Sequence, residues 1–122
     1  MVSVLLADDS ATIRMALRSL LANEKELQIC GEAVDGLDAV KKTRALKPDI
    51  VLLDVGMPKL NGVEAASAIK KHLPHVRIIL FTMFDGAVET VGPAVADMML
   101  SKSDGANLLK NVRELLASNP AA

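Results

Sequence analysis

The chain has 122 residues, 51% of them apolar, and a formal net charge of −1. That length serves one core and excludes a second domain, and charges scattered along the chain leave no electrostatic footprint for nucleic acid or an anionic membrane, so direct nucleic-acid binding by this chain is not expected. The single cysteine, Cys30, excludes an internal disulfide, no stretch approaches the ~20 apolar residues of a membrane span, and the opening apolar run is too short for a signal peptide, which together predict a reduced, cytoplasmic protein.

Val2 to Ala7 reads as a short apolar strand that runs into Asp8 and Asp9. The helix after it carries Ile13, Ala16, Leu17, Leu20 and Leu21 at the spacing of one buried face, with Asp9 or Ser10 as its cap. Leu27 to Ala33 alternates Leu27, Ile29, Gly31 and Ala33 with Gln28, Cys30 and Glu32, the pattern of a half-covered edge strand. Within it, Cys30 is expected to be a small, semi-buried packing residue. A weaker helix from Gly36 to Leu46 would turn Leu37, Val40, Thr43 and Leu46 inward, and Pro48 marks its end.

Asp49 to Pro58 organises the rest. Its run of branched aliphatics is too short for a helix and is bounded by Pro48 and Gly56, as expected of a strand buried on both faces that ends in the carboxylate of Asp54. After Gly62 a helix places Val63, Ala66, Ile69, Lys70 and Leu73 near one face, with Lys70 snorkelling from its edge and Pro74 stopping it before the strand Arg77 to Thr82. His72 and His75 flank Pro74 as exposed loop residues. Asp85 to Asp97 is the least regular segment, because Gly92-Pro93 interrupts any helix there. Met98 to Leu100 forms a last short strand, Ser103 or Asp104 caps a final helix carrying Leu108, Leu109, Val112, Leu115 and Leu116, and residues 118–122 form a frayed tail.

Strands alternating with helix-length crossovers demand a parallel sheet. The fold class expected is therefore α/β: a doubly wound five-stranded parallel sheet in the order 2-1-3-4-5, a flavodoxin-like three-layer sandwich filling residues 1–122 as a single domain. That order sets the strands ending at Ala7 and Asp54 side by side, so Asp8, Asp9 and Asp54 share one crevice. Like charges there cost on the order of 4 kcal/mol per pair at ~4 Å and an effective dielectric of about 20, which a hard divalent cation relieves; Mg²⁺ is the expected ion, with Mn²⁺ or Ca²⁺ able to substitute. The fourth strand contributes the hydroxyl of Thr82 and the fifth is followed by the ammonium of Lys102. A carboxylate flanked by a cation, a hydroxyl and an ammonium has the parts for phosphoryl transfer, with an aspartyl phosphate on Asp54 as product.

Asp8-Asp9 after the first strand, Asp54 followed by Met57-Pro58 and Gly62, Thr82, and Lys102 together resemble the receiver domain of bacterial two-component response regulators. The resemblance covers almost the whole chain. It implies that Asp54 accepts a phosphoryl group from a phosphohistidine of a sensor histidine kinase or phosphotransfer protein, and that the change switches contacts with an output protein or domain. It further implies that Asp9, Asp54 and the carbonyl of Gly56 ligate Mg²⁺, with Asp8 acting through water, while Thr82 and Lys102 contact the phosphoryl group. Such a chain autophosphorylates from small donors and dephosphorylates itself, but turns over no external substrate. Gly56 and Phe84, two residues past Asp54 and Thr82, would govern the lifetime of the phosphoryl group.

The resemblance breaks at the switch position. Met99 stands where receivers carry Tyr or Phe, Val95 and Met98 replace small residues, and Gly92-Pro93 precedes them, so the readout surface is expected to be rebuilt for an unusual partner. Dimerisation is compatible with all of this. Competing readings are a phosphate-independent pseudo-receiver, the receiver half of a helix-turn-helix regulator whose DNA-binding domain is absent from this chain, and an aspartyl-nucleophile phosphatase, which Asp8-Asp9-Ser10 fits poorly because that class carries Asp-x-Asp. A dinucleotide-binding enzyme is disfavoured further, since Ala7-Asp8-Asp9-Ser10 stands in place of a glycine-rich turn.

Overall fold

The computed structural model describes residues 1–82, 96–101, 110 and 112–114. Its elements are β1 (Val2–Ala7), α1 (Ala11–Leu21), β2 (Leu27–Ala33), α2 (Gly36–Leu46), β3 (Ile50–Asp54), α3 (Gly62–His72), β4 (Arg77–Thr82) and β5 (Met98–Ser101). The first four strands lie in the order β2-β1-β3-β4, all parallel, as the alternation of strands and crossovers predicts. Met98–Ser101 runs parallel beside β4, pairing Ile79 with Met98 and Thr82 with Ser101. The interrupted helix expected over 85–97 falls almost wholly outside the described residues, as does most of the final helix, of which Lys110 and residues 112–114 are helical.

Alternation along the strands splits the core into two layers. Val4, Leu6, Ile50, Leu52, Ile79 and Phe81 pack with Leu17 and Leu21 of α1 and with Val112. On the other face Leu5, Ala7, Val51, Leu53, Ile78 and Leu80 pack with Ala39 of α2 and with Ala65, Ala66 and Ile69 of α3. Every residue of β3 is buried, and burial of each large aliphatic there is worth about 1.5–3 kcal/mol, so this strand is held from both sides. Leu53→Ala would open a cavity at the strand end that carries Asp54.

Helix boundaries follow local chemistry. Ser10 caps α1 by accepting from the Ile13 amide, Asp35 caps α2 by accepting from the Asp38 amide, and Asn61 and Glu64 close a capping box on α3. Lys47 ends α2 in the left-handed region with φ 48°, its N–H returning to the Thr43 carbonyl, and Pro48 forbids continuation.

Four expectations about helix faces change. Ala16 is exposed on α1, where the buried stripe narrows to Leu17 and Leu21 with Ile13 and Leu20 partly covered. Leu37 and Leu46 are exposed because the buried face of α2 is made of its small residues Gly36 and Ala39 together with Thr43, Ala39 lying in the core and Gly36 against the Leu60 backbone; the Thr43 hydroxyl donates to the Ala39 carbonyl at 2.6 Å. Lys70 does not snorkel to water, for its ammonium meets Asp97 at 2.7 Å and donates to the Val76 carbonyl. His72 is exposed as expected, but as the last residue of α3 rather than in a loop.

The edge strand β2 departs most. Its register against β1 slips between Val4 and Leu5, which pair with Ile29 and Gly31 and leave Cys30 as an extra residue, a bulge of a kind uncommon in parallel ladders. Leu27 and Ile29 face the α1 layer, whereas Cys30 and Ala33 pack into the α2 layer and a methyl at Gly31 would meet Leu46 and Leu5. The simple alternation read from the sequence therefore holds only up to Ile29, and Glu32 emerges on the α1 side.

Candidate functional site

The site is built where β1 and β3 end beside each other. Leu53 pairs with Ala7, so the residues that follow both strands leave the sheet together. Asp8 is held by its own backbone: its N–H donates to the Ala33 carbonyl at 3.1 Å, and its Oδ1 accepts from the Ser10 amide at 2.9 Å. The side chains of Asp8 and Asp54 are buried, while Asp9 is exposed. One carboxylate oxygen from each of Asp8, Asp9 and Asp54 lies within 4.8 Å of the others.

The loop after β3 is fixed just as tightly. The Val55 amide donates to the Phe81 carbonyl at 3.2 Å, the Gly62 amide to the Val55 carbonyl at 2.9 Å, and the Gly56 amide to Asp54 Oδ1 at 3.3 Å. Met57 is buried in the α2–α3 layer and anchors the turn from below. A methyl at Gly62 would stand 2.2 Å from the Asp54 carbonyl oxygen, and one at Gly36 would stand 1.7 Å from that of Leu60, so only glycines let the starts of α2 and α3 close on this loop. Lys59, at φ 67°, completes the turn and sets its ammonium 3.5 Å from Asp35.

Electrostatics follow from the geometry. Two unit charges at 4.8 Å repel by about 3–4 kcal/mol at an effective dielectric of about 20, and this cluster holds three such pairs. Oxygen donors in that arrangement suit a hard divalent cation, so the residues fit a magnesium-class ion. Around the site, the hydrogen bond from Arg18, reinforced by Arg14, holds the Glu32 carboxyl below the usual range. The Asp38 amide, helped by Lys59, does the same for Asp35, and burial pushes the Cys30 thiol up, as fits a packing residue.

Of the site residues predicted from sequence, Asp8, Asp9 and Asp54 are brought together and Gly56 lies directly beside them. Thr82 ends β4, one residue past Phe81, which pairs with Asp54. Met99 lies in β5 opposite Leu80. Lys102 and Phe84 lie outside the described residues. Two residues near the site were not foreseen: Arg14, whose Nη1 donates to the Asp8 carbonyl at 2.7 Å, and Glu32, which receives Arg14 at 2.9 Å and Arg18 at 2.7 Å. The available signal was Gly31, since an interior strand glycine often marks a bulge.

Known proteins are similar to this chain in sequence and fold. Response regulator protein VraR of Staphylococcus epidermidis is 37% identical over 83 residues, an alignment that takes in 68% of this chain and 40% of that protein. The chain thus spans about two-fifths of the length of that relative. Among solved structures, the response regulator domain of Thermotoga maritima CheB superposes with a TM-score of 0.87 at 31% identity, covering 98% of this chain and 99% of that one. The T. maritima response regulator TrrA, in complex with Mg²⁺-BeF, gives a TM-score of 0.85 at 32% identity over 95% and 99% of the two chains. The family model for the response regulator receiver domain matches residues 4–92, and the chain belongs to that family.

Proposed function

We propose that this chain is a phosphoacceptor of a two-component phosphorelay, with residues 1–122 forming one five-stranded receiver domain and Asp54 as the acceptor. The observation that carries the reading is the approach of Asp8, Asp9 and Asp54 to within 4.8 Å at adjacent strand ends. In the reaction an Asp54 carboxylate oxygen attacks the phosphorus of a phosphohistidine; the O–P bond forms as the N–P bond breaks, and the imidazole nitrogen keeps the electron pair. The donor is a sensor histidine kinase or a phosphotransfer protein, or a small acyl phosphate.

Each residue has a part. The buried β3 strand fixes the backbone of Asp54, and the Gly56 amide orients Oδ1 so that the attacking oxygen has little freedom to lose. Asp8, Asp9, Asp54 and the Gly56 carbonyl would hold Mg²⁺, which neutralises charge on the equatorial oxygens when bound. Thr82 and Lys102 would contact the phosphoryl group. The Mg²⁺-BeF complex of TrrA supports this assignment by likeness. A methyl at Gly56 would meet nothing within 4 Å, which supports its role in admitting water to the aspartyl phosphate and so setting its lifetime. We read the output as a change in protein contacts, with Met99 and its neighbours in β5 as the altered readout surface, and the chain as no turnover enzyme on an external substrate.

Incubation with acetyl phosphate and Mg²⁺ followed by intact mass measurement tests the reading. Wild type should gain one phosphoryl group, and Asp54→Ala should gain none. Equal labelling of both, or no labelling of wild type, overturns it.

A further inference from the structure

We propose that Arg14, held in place by Glu32, is a positioning residue that fixes the β1–α1 turn for cation binding by Asp8 and Asp9, an inference that rests on reading the acidic cluster as a cation site. The guanidinium of Arg14 bridges two partners at once. Its Nη1 donates to the Asp8 carbonyl at 2.7 Å and its Nε to Glu32 Oε1 at 2.9 Å, with the side chain only 16% exposed. Glu32 is itself gripped from behind, because Arg18 donates to Oε2 through Nε at 3.0 Å and Nη2 at 2.7 Å.

The contact exists because of the irregularity in β2. Continued alternation from Leu27 and Ile29 would send Glu32 to the α2 layer; the extra residue Cys30 turns it to α1, where Arg14 and Arg18 stand one turn apart. The chain of contacts is Arg18 to Glu32 to Arg14 to the Asp8 carbonyl, and the last link sits on the peptide that joins the two acidic residues. A planar guanidinium can serve both acceptors in fixed geometry, whereas an ammonium is a point donor. The turn that presents Asp8 and Asp9 is therefore tied on both sides: the Asp8 amide to Ala33 of β2, and its carbonyl to α1. Holding ligands before the ion arrives lowers the ordering cost of binding, and loss of such supporting contacts typically costs 10–100-fold in metal affinity.

Titration of the Asp8 and Asp9 backbone amides with MgCl₂, followed by nuclear magnetic resonance, tests this without reference to phosphorylation. Arg14→Met and Glu32→Gln should each raise the Mg²⁺ midpoint about tenfold. Because Glu32 acts through Arg14, adding Glu32→Gln to Arg14→Met should raise it no further. Arg14→Lys should recover part of the affinity, since its ammonium still donates to the Asp8 carbonyl, and Arg18→Met should shift the midpoint less than about twofold. A role in stability alone would lower the thermal midpoint and leave the Mg²⁺ midpoint of folded protein where it was; that result, or additive effects of the two changes, overturns the proposal. Should Arg14→Met fail to fold, Glu32→Gln and Arg14→Lys carry the same test. Absence of any Mg²⁺-dependent shift in wild type removes the cation site and this inference together, whereas a wild-type shift matched by both variants removes this inference alone.

Discussion

At the amino-terminal edge of the sheet, Asp49 and Asp97 are spent on backbone. Asp49 Oδ2 accepts from the Ser3 amide at 2.8 Å while its own carbonyl accepts from the Arg77 amide, and Asp97 Oδ2 accepts from the Ile78 amide at 2.8 Å and from Lys70 at 2.7 Å. At the carboxyl-terminal edge, Asp8, Asp9 and Asp54 are instead turned toward one another. The same residue type thus stitches strands at one end and stores repulsion at the other. The difference sets this edge apart, since nothing in the packing of β1 or β3 requires three acids in one crevice.

Substitutions of the acids at the two ends should differ in sign as well as size. The largest effect is expected of Gly62→Ala, whose methyl must displace the Asp54 carbonyl; a loss of about 3 kcal/mol in urea unfolding, with labelling of Asp54 reduced, would mark the close approach as essential. At the opposite edge Asp97→Ala should cost about 2 kcal/mol by releasing the Ile78 amide and Lys70, while leaving the Mg²⁺ midpoint unchanged. Asp9→Asn should do the reverse: in metal-free buffer it should raise stability by about 1 kcal/mol, and Mg²⁺ should then add little. Destabilisation by Asp9→Asn in metal-free buffer would break the contrast.

Acid should weaken the flanks of the site. Glu32 and Asp35 both titrate below their ordinary values of 4.5 and 3.8 in the folded chain, so their contribution is complete above those values and fades as pH falls through the lower folded ones. For Glu32 the loss should stay under about 1 kcal/mol, because Glu32 and Arg18 stand near solvent, and Glu32→Gln should flatten that part of the pH profile measured by thermal unfolding. The smallest change in stability, below about 0.5 kcal/mol, is expected of Gly56→Asn, whose Cβ meets open space; its effect should fall on the decay rate of phosphorylated Asp54.

The sheet and its acidic cluster were legible in the sequence because the signals were local and redundant. Ile50 to Leu53 could only be a doubly covered strand, and two strands that end in acids become neighbours once crossovers are right-handed. What escaped were features decided by packing between distant segments. Leu37 and Leu46 fit the helical period of α2, yet the face it buries is that of Gly36, Ala39 and Thr43. Ala16 satisfied the apolar pattern of α1 without being needed by it. Arg14 and Glu32 stand 18 residues apart on an exposed-looking helix and an edge strand, and only the slip at Cys30 puts them in reach.

That slip gives β2 a change of parity. Upstream of Cys30 odd-numbered residues serve the α1 layer; downstream, even-numbered Glu32 does so and odd-numbered Ala33 belongs to the opposite layer. The extra residue is consequently what reconciles the two halves of the strand with their layers. Deleting Cys30 would restore regular alternation, setting Ile29 and Gly31 in succession opposite Val4 and Leu5 and leaving Glu32 on the α1 side and Ala33 on the α2 side. A conservative exchange such as Cys30→Ala or Cys30→Val keeps the count and is expected to be mild. For related chains, a gap of one residue at this point in a pairwise comparison marks a β2 without the bulge whose flanking residues keep their layers.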